Sequence, residues 1–422
     1  MKIIKSLFIE ESIPSPALKL LNTARNDVYQ YHAMVKPTGA QCNLDCTYCF
    51  YLHKQDLLHQ SKRPRLDIPL LELHIKQYIE AQTGPSVDFT WQGGEPTLMG
   101  LSFFEKVIEL QNKYKKPNQL ILNDLQTNGT LLNDEWCLFL KQHNFLVGLS
   151  LDGPKEFHDQ YRYSKTKKGT FERVIDAANL LKKHSIEFNI LCVVNRTNAK
   201  HPLSVYRFIR DEIKPKVIQF IPLVEPRDFE VSAPMIMSDD DALFSPSDVN
   251  ADSVVTHWSV LPKDWGTFLT TIWDEWIQRD FGEVFVDQFE NIISMMFGYG
   301  PQKCVNGEIC GKAIAIEHNG DVYSCDHFVY PEYKLGNIKD VHQGDLVFSE
   351  KQKQFAFAKS NTLPTMCTNC RFLKVCWGEC PKNRLYKTEN GEPGLNYLCS
   401  GLKLFYTKAF TDYPVLKRRL TI

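Results

Sequence analysis

Cys42-Asn43-Leu44-Asp45-Cys46-Thr47-Tyr48-Cys49-Phe50-Tyr51 places three thiols at Cys-x3-Cys-x2-Cys spacing, just after the apolar run His32 to Val35. Cysteine thiolates are the usual ligands of iron–sulfur clusters. A compact loop offering three of them to a four-iron cluster leaves one iron without a protein ligand. A zinc site or three buried core cysteines is the alternative reading. Structural zinc takes four ligands, and no fourth Cys or His lies at conventional spacing beside the three; His53, the nearest, reads as a surface residue.

Around this loop the chain alternates between strand-like and helix-like segments. Strand-like runs fall at Val87 to Trp91, Leu120 to Gln126, Leu146 to Leu151, Phe188 to Val194 and Val217 to Ile221, after the first at His32 to Val35. Between them, Leu70 to Ile79 and residues 102–114, 134–143, 171–184 and 202–212 have helical character. Strands separated by helix-length connections favour a parallel sheet, because parallel neighbours need a crossover. Six such units are too few for the closed eight-stranded barrel, and ligands of parallel sheets bind at the carboxyl ends of the strands.

Polar motifs stand at those ends. Gln92-Gly93-Gly94-Glu95-Pro96 follows the second strand, where two glycines permit close backbone approach to a ligand and Glu95 offers a carboxylate. Gln126-Thr127-Asn128-Gly129 follows the third; as a bare sequence its Asn-Gly is as readily a tight turn. Ser150-Leu151-Asp152-Gly153-Pro154, then Tyr161-Arg162, follow the fourth, and Leu223 lies just past the sixth. Residues 1–29 read as an extension with a helix around Leu18 to Arg25. Residues 226–300 read as a polar linker followed by bridging helices at Trp265 to Trp276 and Val284 to Phe297, with Trp273 and Trp276 in the core.

The last part, residues 301–422, carries eight cysteines: Cys304, Cys310, Cys325, Cys367, Cys370, Cys376, Cys380 and Cys399. Eight thiols make two complete four-thiolate sites, whether for iron–sulfur clusters or for a pair of zinc ions. The other two of the thirteen cysteines, Cys137 and Cys192, read as buried small hydrophobes.

Composition narrows the function classes. The 422 residues are 43% apolar and 12% aromatic, enough for a large core. With 49 basic against 50 acidic residues the net charge is −1, so no global field recruits nucleic acid or an acidic membrane. No uninterrupted apolar stretch approaches the ~20 residues of a membrane helix. Glu10 and Glu11 interrupt the N-terminal apolar patch, and no small-residue cleavage site follows it. Thirteen cysteines without an export signal point to a reducing compartment, the cytoplasm, where clustered thiols serve metals or catalysis more often than disulfides.

The cysteine loop with its aromatic residues Tyr48 and Tyr51, and the Gly-Gly-Glu-Pro after the second strand, resemble the radical S-adenosylmethionine (SAM) enzymes. The resemblance implies that the six units form an open, partial (β/α)6 barrel and that Cys42, Cys46 and Cys49 hold a cluster whose free iron chelates SAM. Cleavage of SAM there gives a 5'-deoxyadenosyl radical. It also implies that Gln92, Gly93, Gly94 and Glu95 meet the SAM amino group and that Thr127 and Asn128 face the cofactor. Arg162 would then meet the SAM carboxylate, Ser150 would lie near the ribose and Leu223 against the adenine.

The eight later cysteines resemble the SPASM domain of protein-modifying members. That implies two auxiliary [4Fe-4S] clusters, one on Cys304, Cys310, Cys325 and Cys380 and one on Cys367, Cys370, Cys376 and Cys399. Glu317-His318-Asn319-Gly320-Asp321-Val322-Tyr323-Ser324-Cys325-Asp326-His327-Phe328 is similar to the anaerobic sulfatase-maturating enzymes, which oxidise a Cys or Ser of a sulfatase to Cα-formylglycine. The family's 5'-deoxyadenosyl radical takes a hydrogen from the substrate Cβ, and Asp326 matches its catalytic aspartate, the base that takes the substrate proton. His327 is a residue to watch beside it.

The implied partners are a sulfatase polypeptide with a Cys/Ser-x-Pro/Ala-x-Arg-like motif and an electron donor such as flavodoxin or ferredoxin. Another SPASM enzyme acting on a ribosomal peptide or protein cofactor is the alternative within this chemistry. A non-catalytic zinc module is the alternative outside it.

Overall fold

The computed structural model describes residues 31–420 except 235–243, 245, 247–249 and 312. The extension at 1–29, with its helix around Leu18 to Arg25, lies outside the described residues.

Among the described residues ten strands form one sheet. In chain order they are β1 His32–Lys36, β2 Ser86–Trp91, β3 Leu120–Thr127, β4 Leu146–Ser150, β5 Phe188–Val194, β6 Val217–Pro222, β7 Phe285–Val286, β8 Ala313–Glu317, β9 Asp321–Tyr323 and β10 Lys334–Asn337. Their spatial order is β10-β9-β8-β1-β2-β3-β4-β5-β6-β7. The stretch from β8 through β7 is parallel throughout, and only the pairings of β9 with β8 and with β10 are antiparallel. The six strands read from the sequence are therefore the middle of a longer sheet. β7 has two residues, too few for a pattern, and β8 adds to the free edge of β1 in register His32↔Ala313 to Lys36↔Glu317. The cysteine-rich part of the chain is thus joined to the barrel by backbone hydrogen bonds.

Helices cover the outer face. They include α1 Ile68–Ala81, α2 Leu101–Tyr114, α3 Asp134–Gln142, α4 Phe171–Lys183 and α5 Pro202–Phe208. α1 begins where Asp67 accepts from the Leu70 amide at 2.8 Å, with proline in its first turn, an arrangement suited to orphan amides at a helix start. Along β5, Phe188, Ile190, Cys192 and Val194 are buried while Asn189, Leu191 and Val193 between them are only half-buried. One side of the strand meets the helices and the other lines a concave interior, as the two-residue period requires. Cys137 and Cys192 are both fully buried.

The region after β6 differs from the linker reading. Its described part is tied into the interior: Val260 donates to the Leu223 carbonyl at 2.8 Å, Thr256 to that of Glu225 at 2.9 Å and Arg196 to that of Trp258 at 2.9 Å. Short polar stretches give no periodicity because these bonds run to other loops. Beyond it come α6 Pro262–Glu275 and α7 Asp287–Met296, with Trp273 and Trp276 fully buried. α6 crosses α8 Cys399–Thr411 backbone to backbone, where a Cβ on Gly401 would stand 1.9 Å from the Pro262 carbonyl oxygen. No helix among the described residues is long and apolar enough to cross a membrane.

Candidate active site

The cysteine loop leaves β1 through a turn in which Gly39 and Gln41 donate back to Lys36 and Thr38. It then lies along residues 161–163, Asp45 donating to the Tyr163 carbonyl at 2.9 Å and Thr47 to that of Tyr161 at 3.0 Å. Cys42, Cys46 and Cys49 sit within electrostatic range of one another. Burial raises all three thiols, Cys46 to about 12. Grouped thiols in so dry a place want a cationic centre to become thiolates. His53 is not a surface residue: its ring packs edge-on to Phe229 at 5.1 Å, both ring nitrogens are buried, and desolvation pushes its pKa down to about 3.

Glu95 gathers the ends of β2 and β3 beneath Cys42. Its carboxylate accepts from the Thr127 hydroxyl at 2.7 Å, the Asn128 amide at 2.8 Å and the Thr97 hydroxyl at 2.6 Å. Burial raises its pKa and those bonds oppose the rise. The Asn128 side-chain amide reaches Asn43 at 2.9 Å and the Cys42 sulfur at 3.7 Å. Gly94 is required by space, since a Cβ there would lie 1.9 Å from the Gln41 carbonyl oxygen. Gln92 bonds to Gln126 on the next strand.

Arg162 is positioned by a residue the sequence reading left without a role. Asp152, fully buried, accepts from Arg162 Nε at 2.9 Å, from the Val193 amide at 2.9 Å and from the Tyr48 hydroxyl. With Nε engaged, the two terminal guanidinium nitrogens remain for a carboxylate in the bidentate manner. Ser150 is buried at the end of β4. Leu223 packs with Tyr48, Tyr161, Val193 and Trp258 in an apolar cluster, and the indole nitrogen of Trp258 is buried without a partner. Trp258 gave no signal in sequence because it sits in the segment read as a linker.

Asp326 lies in a short turn after β9, next to Cys325, and forms a buried ion pair with Lys36, the last residue of β1. Lys36 Nζ also donates to Gln92 Oε1 at 2.7 Å and sits 4.4 Å from the centre of the Tyr51 ring. The Tyr51 hydroxyl donates to Glu317 at 2.5 Å. Thus Tyr51, Gln92 and Asp326 meet around Lys36, which the sequence reading did not select, as it did not select Glu317. His327 packs against Phe50 of the cysteine loop, ring centres 5.4 Å apart and planes tilted by 40°, and burial lowers its pKa to about 4.

The eight later thiols fall into two groups. Cys325 has Cys304, Cys310 and Cys380 as its charged neighbours. Cys367, Cys370, Cys376 and Cys399 line one cavity together with Phe372, Leu373 and Tyr406. Three thiols in one loop and two separate fours suit the larger four-iron cores.

Residues 37–209 match the Radical SAM superfamily and residues 304–371 the SPASM iron–sulfur cluster-binding domain. A serine-type anaerobic sulfatase-maturating enzyme of Bacteroides thetaiotaomicron is 45% identical over 390 residues, covering 92% of each chain. The chain belongs to the anaerobic sulfatase-maturating enzymes. A cysteine-type member from Clostridium novyi is 33% identical, over 92% of this chain and 97% of its own. The structure of native anSMEcpe with bound AdoMet and Cp18Cys peptide superposes with a TM-score of 0.77 at 33% identity, covering 92% of this chain and 99% of that one. This maturase is accordingly a radical SAM enzyme, and its two matched domains imply [4Fe-4S] clusters and SAM.

Proposed function

We propose that this maturase oxidises the side chain of one Cys or Ser in a sulfatase polypeptide to Cα-formylglycine, and that Asp326 takes the substrate proton. The observation that carries the assignment of Asp326 is its ion pair with Lys36, six residues before Cys42: the aspartate beside an auxiliary-cluster thiol meets the strand that presents the SAM-cluster loop. Cys42, Cys46 and Cys49 would hold the SAM cluster, Cys304, Cys310, Cys325 and Cys380 the first auxiliary cluster, and Cys367, Cys370, Cys376 and Cys399 the second. When bound, these groups supply hydrogen-atom abstraction from the substrate Cβ and an acceptor for the second electron.

The protein's own residues do the rest. Glu95, fixed by Thr127 and Asn128, presents a carboxylate to the SAM amino group. Arg162, held by Asp152, presents two donors to the SAM carboxylate. Ser150 stands near the ribose, and Leu223 covers the adenine. Lys36 holds Asp326 in place and balances its charge in a site where water cannot. Asp326 then accepts the hydroxyl or thiol proton as the oxygen or sulfur forms its double bond to Cβ.

Residues 30–225 serve as the SAM-cleaving unit, 226–300 as the bridge and 301–422 as the auxiliary-cluster unit. The partner sulfatase presents a Cys/Ser-x-Pro/Ala-x-Arg-like motif, and a flavodoxin or ferredoxin supplies electrons in the cytoplasm, the compartment that suits thirteen cysteines. Anaerobic incubation with SAM, a reductant and matched Ser- and Cys-type sulfatase peptides, read by mass spectrometry, tests the reading. Loss of 2 Da or so from the Ser peptide, or of about 18 Da from the Cys peptide after thioaldehyde hydrolysis, is the expected result, as aldehyde formation requires. SAM cleavage with neither peptide altered would transfer the assignment to another peptide- or cofactor-modifying SPASM enzyme.

A further inference from the structure

Two buried charges lie between the auxiliary-cluster thiols, and neither has an oppositely charged partner in contact among the described residues. Arg384 is 5% exposed, and its neighbours include Cys310 and Cys380 of one group and Cys367 and Cys376 of the other. Among the described residues its guanidinium donates to neutral acceptors: the Trp377 carbonyl at 2.9 Å, the Thr362 hydroxyl at 3.2 Å and the Gly378 carbonyl at 3.4 Å. Gly378 itself lines the cavity of the second group. Glu379, 7% exposed, is the mirror case. It neighbours Cys310 and Cys380 on one side and Cys376 on the other. Its carboxylate accepts from the Cys380 amide at 2.6 Å and from the Asn383 and Asn396 side chains at 3.2 Å each.

An isolated buried charge is expensive unless something opposite stands near it. For Arg384 the opposite charge is what four-thiolate clusters carry, and they carry more of it after reduction. Glu379, beside the same thiols, acts in the reverse sense. We infer that Arg384 and Glu379 are positioning charges that set the reduction potentials of the two auxiliary clusters, Arg384 favouring the reduced state and Glu379 the oxidised state. The fold holds the two apart by giving each its own neutral hydrogen-bond partners, so their effects on the clusters do not cancel in a salt bridge. Fixed nearby charge is a recognised lever on cluster potential.

The inference rests on the assignment of the eight later thiols to two clusters, and its test keeps the two separable. Anaerobically reconstituted full-length protein, carrying Arg384→Gln, Arg384→Lys or Glu379→Gln, is titrated potentiometrically with cluster reduction followed by electron paramagnetic resonance. Arg384→Gln should lower the midpoint potentials of both auxiliary clusters, Glu379→Gln should raise them, and Arg384→Lys should stay near wild type because the charge survives. The SAM cluster serves as an internal standard whose midpoint stays put. Unmoved auxiliary midpoints, or shifts of one sign in both Gln variants, at undiminished iron content overturn the charge assignment alone. Absence of iron from the Cys42, Cys46, Cys49 triple-Ala protein overturns the cluster assignment and the inference with it. Should Arg384→Gln fail to load, Glu379→Gln decides, since Gln keeps the oxygen acceptor that the Cys380 amide uses.

Discussion

The two cysteine regions build their sites in opposite ways. The thiols proposed for the SAM cluster come from one loop, Cys42 to Cys49, at the end of one strand. The thiols proposed for the auxiliary clusters interleave: Cys380 joins Cys304, Cys310 and Cys325 from across the segment that contains Cys367, Cys370 and Cys376, while Cys399 opens α8. A local loop can prepare its site once its own turns form. The interleaved sites exist only when chain segments far apart in sequence have docked, so they report the integrity of the whole C-terminal part.

The largest expected effect separates the two regions outright. Replacing Cys42, Cys46 and Cys49 with Ala should abolish 5'-deoxyadenosine formation while about eight irons, two four-iron clusters, remain; iron analysis with product chromatography checks both. The converse change, Cys380→Ala, should cost about four irons and leave the SAM cluster's spectrum in place. Retention of all iron in that variant would break the interleaved grouping.

Next in size is the residue that joins the regions. Asp326→Asn keeps shape but cannot take a proton, so formylglycine should fall by roughly 10²- to 10⁴-fold with iron content and SAM binding intact. A near-wild-type rate in iron-loaded protein would leave Asp326 with only a structural part. Lys36→Met removes the counter-charge of that carboxylate, and breaking a buried pair this way costs about 3–5 kcal/mol. A lowered denaturation midpoint, largely restored in the double variant with Asp326→Asn, is the expected signature of a direct pair. Smallest is Gly401→Ala, which pushes a methyl group against the Pro262 carbonyl. Overpacking of this kind costs about 1–3 kcal/mol, read as a lower midpoint with SAM binding unchanged.

What could be read from the chain divides along the same line. β1 to β6 and α1 to α5 announce themselves because each carries its own apolar period, and the cysteine loop and Gln92 to Glu95 because spacing is local information. β7 is too short to show a period, and the pairing of β8 with β1 is a fact about two edges that no window contains. Lys36, Asp152 and Glu317 escaped for a different reason. A charged side chain reads as solvated by default, and these three are buried only because partners arrive from elsewhere. Lys36 meets Gln92 56 positions away, Asp152 meets Tyr48 across 104, and Glu317 meets Tyr51 across 266. The segment after β6 was misread because its order comes from bonds to neighbouring loops.

The docking of β8 onto β1 also sets a clock on biosynthesis. About 280 residues separate His32 from Ala313, and at ribosomal speeds of about 5–20 residues per second that interval lasts on the order of 14 to 56 s. Throughout it the emerging β1 presents bare amides and carbonyls along one edge, the kind of edge that recruits stray strands. The cysteine loop hangs from that same strand. Loop and strand edge are therefore exposed over the same interval, and slow translation of the stretch between β1 and β8 would lengthen the exposure of both.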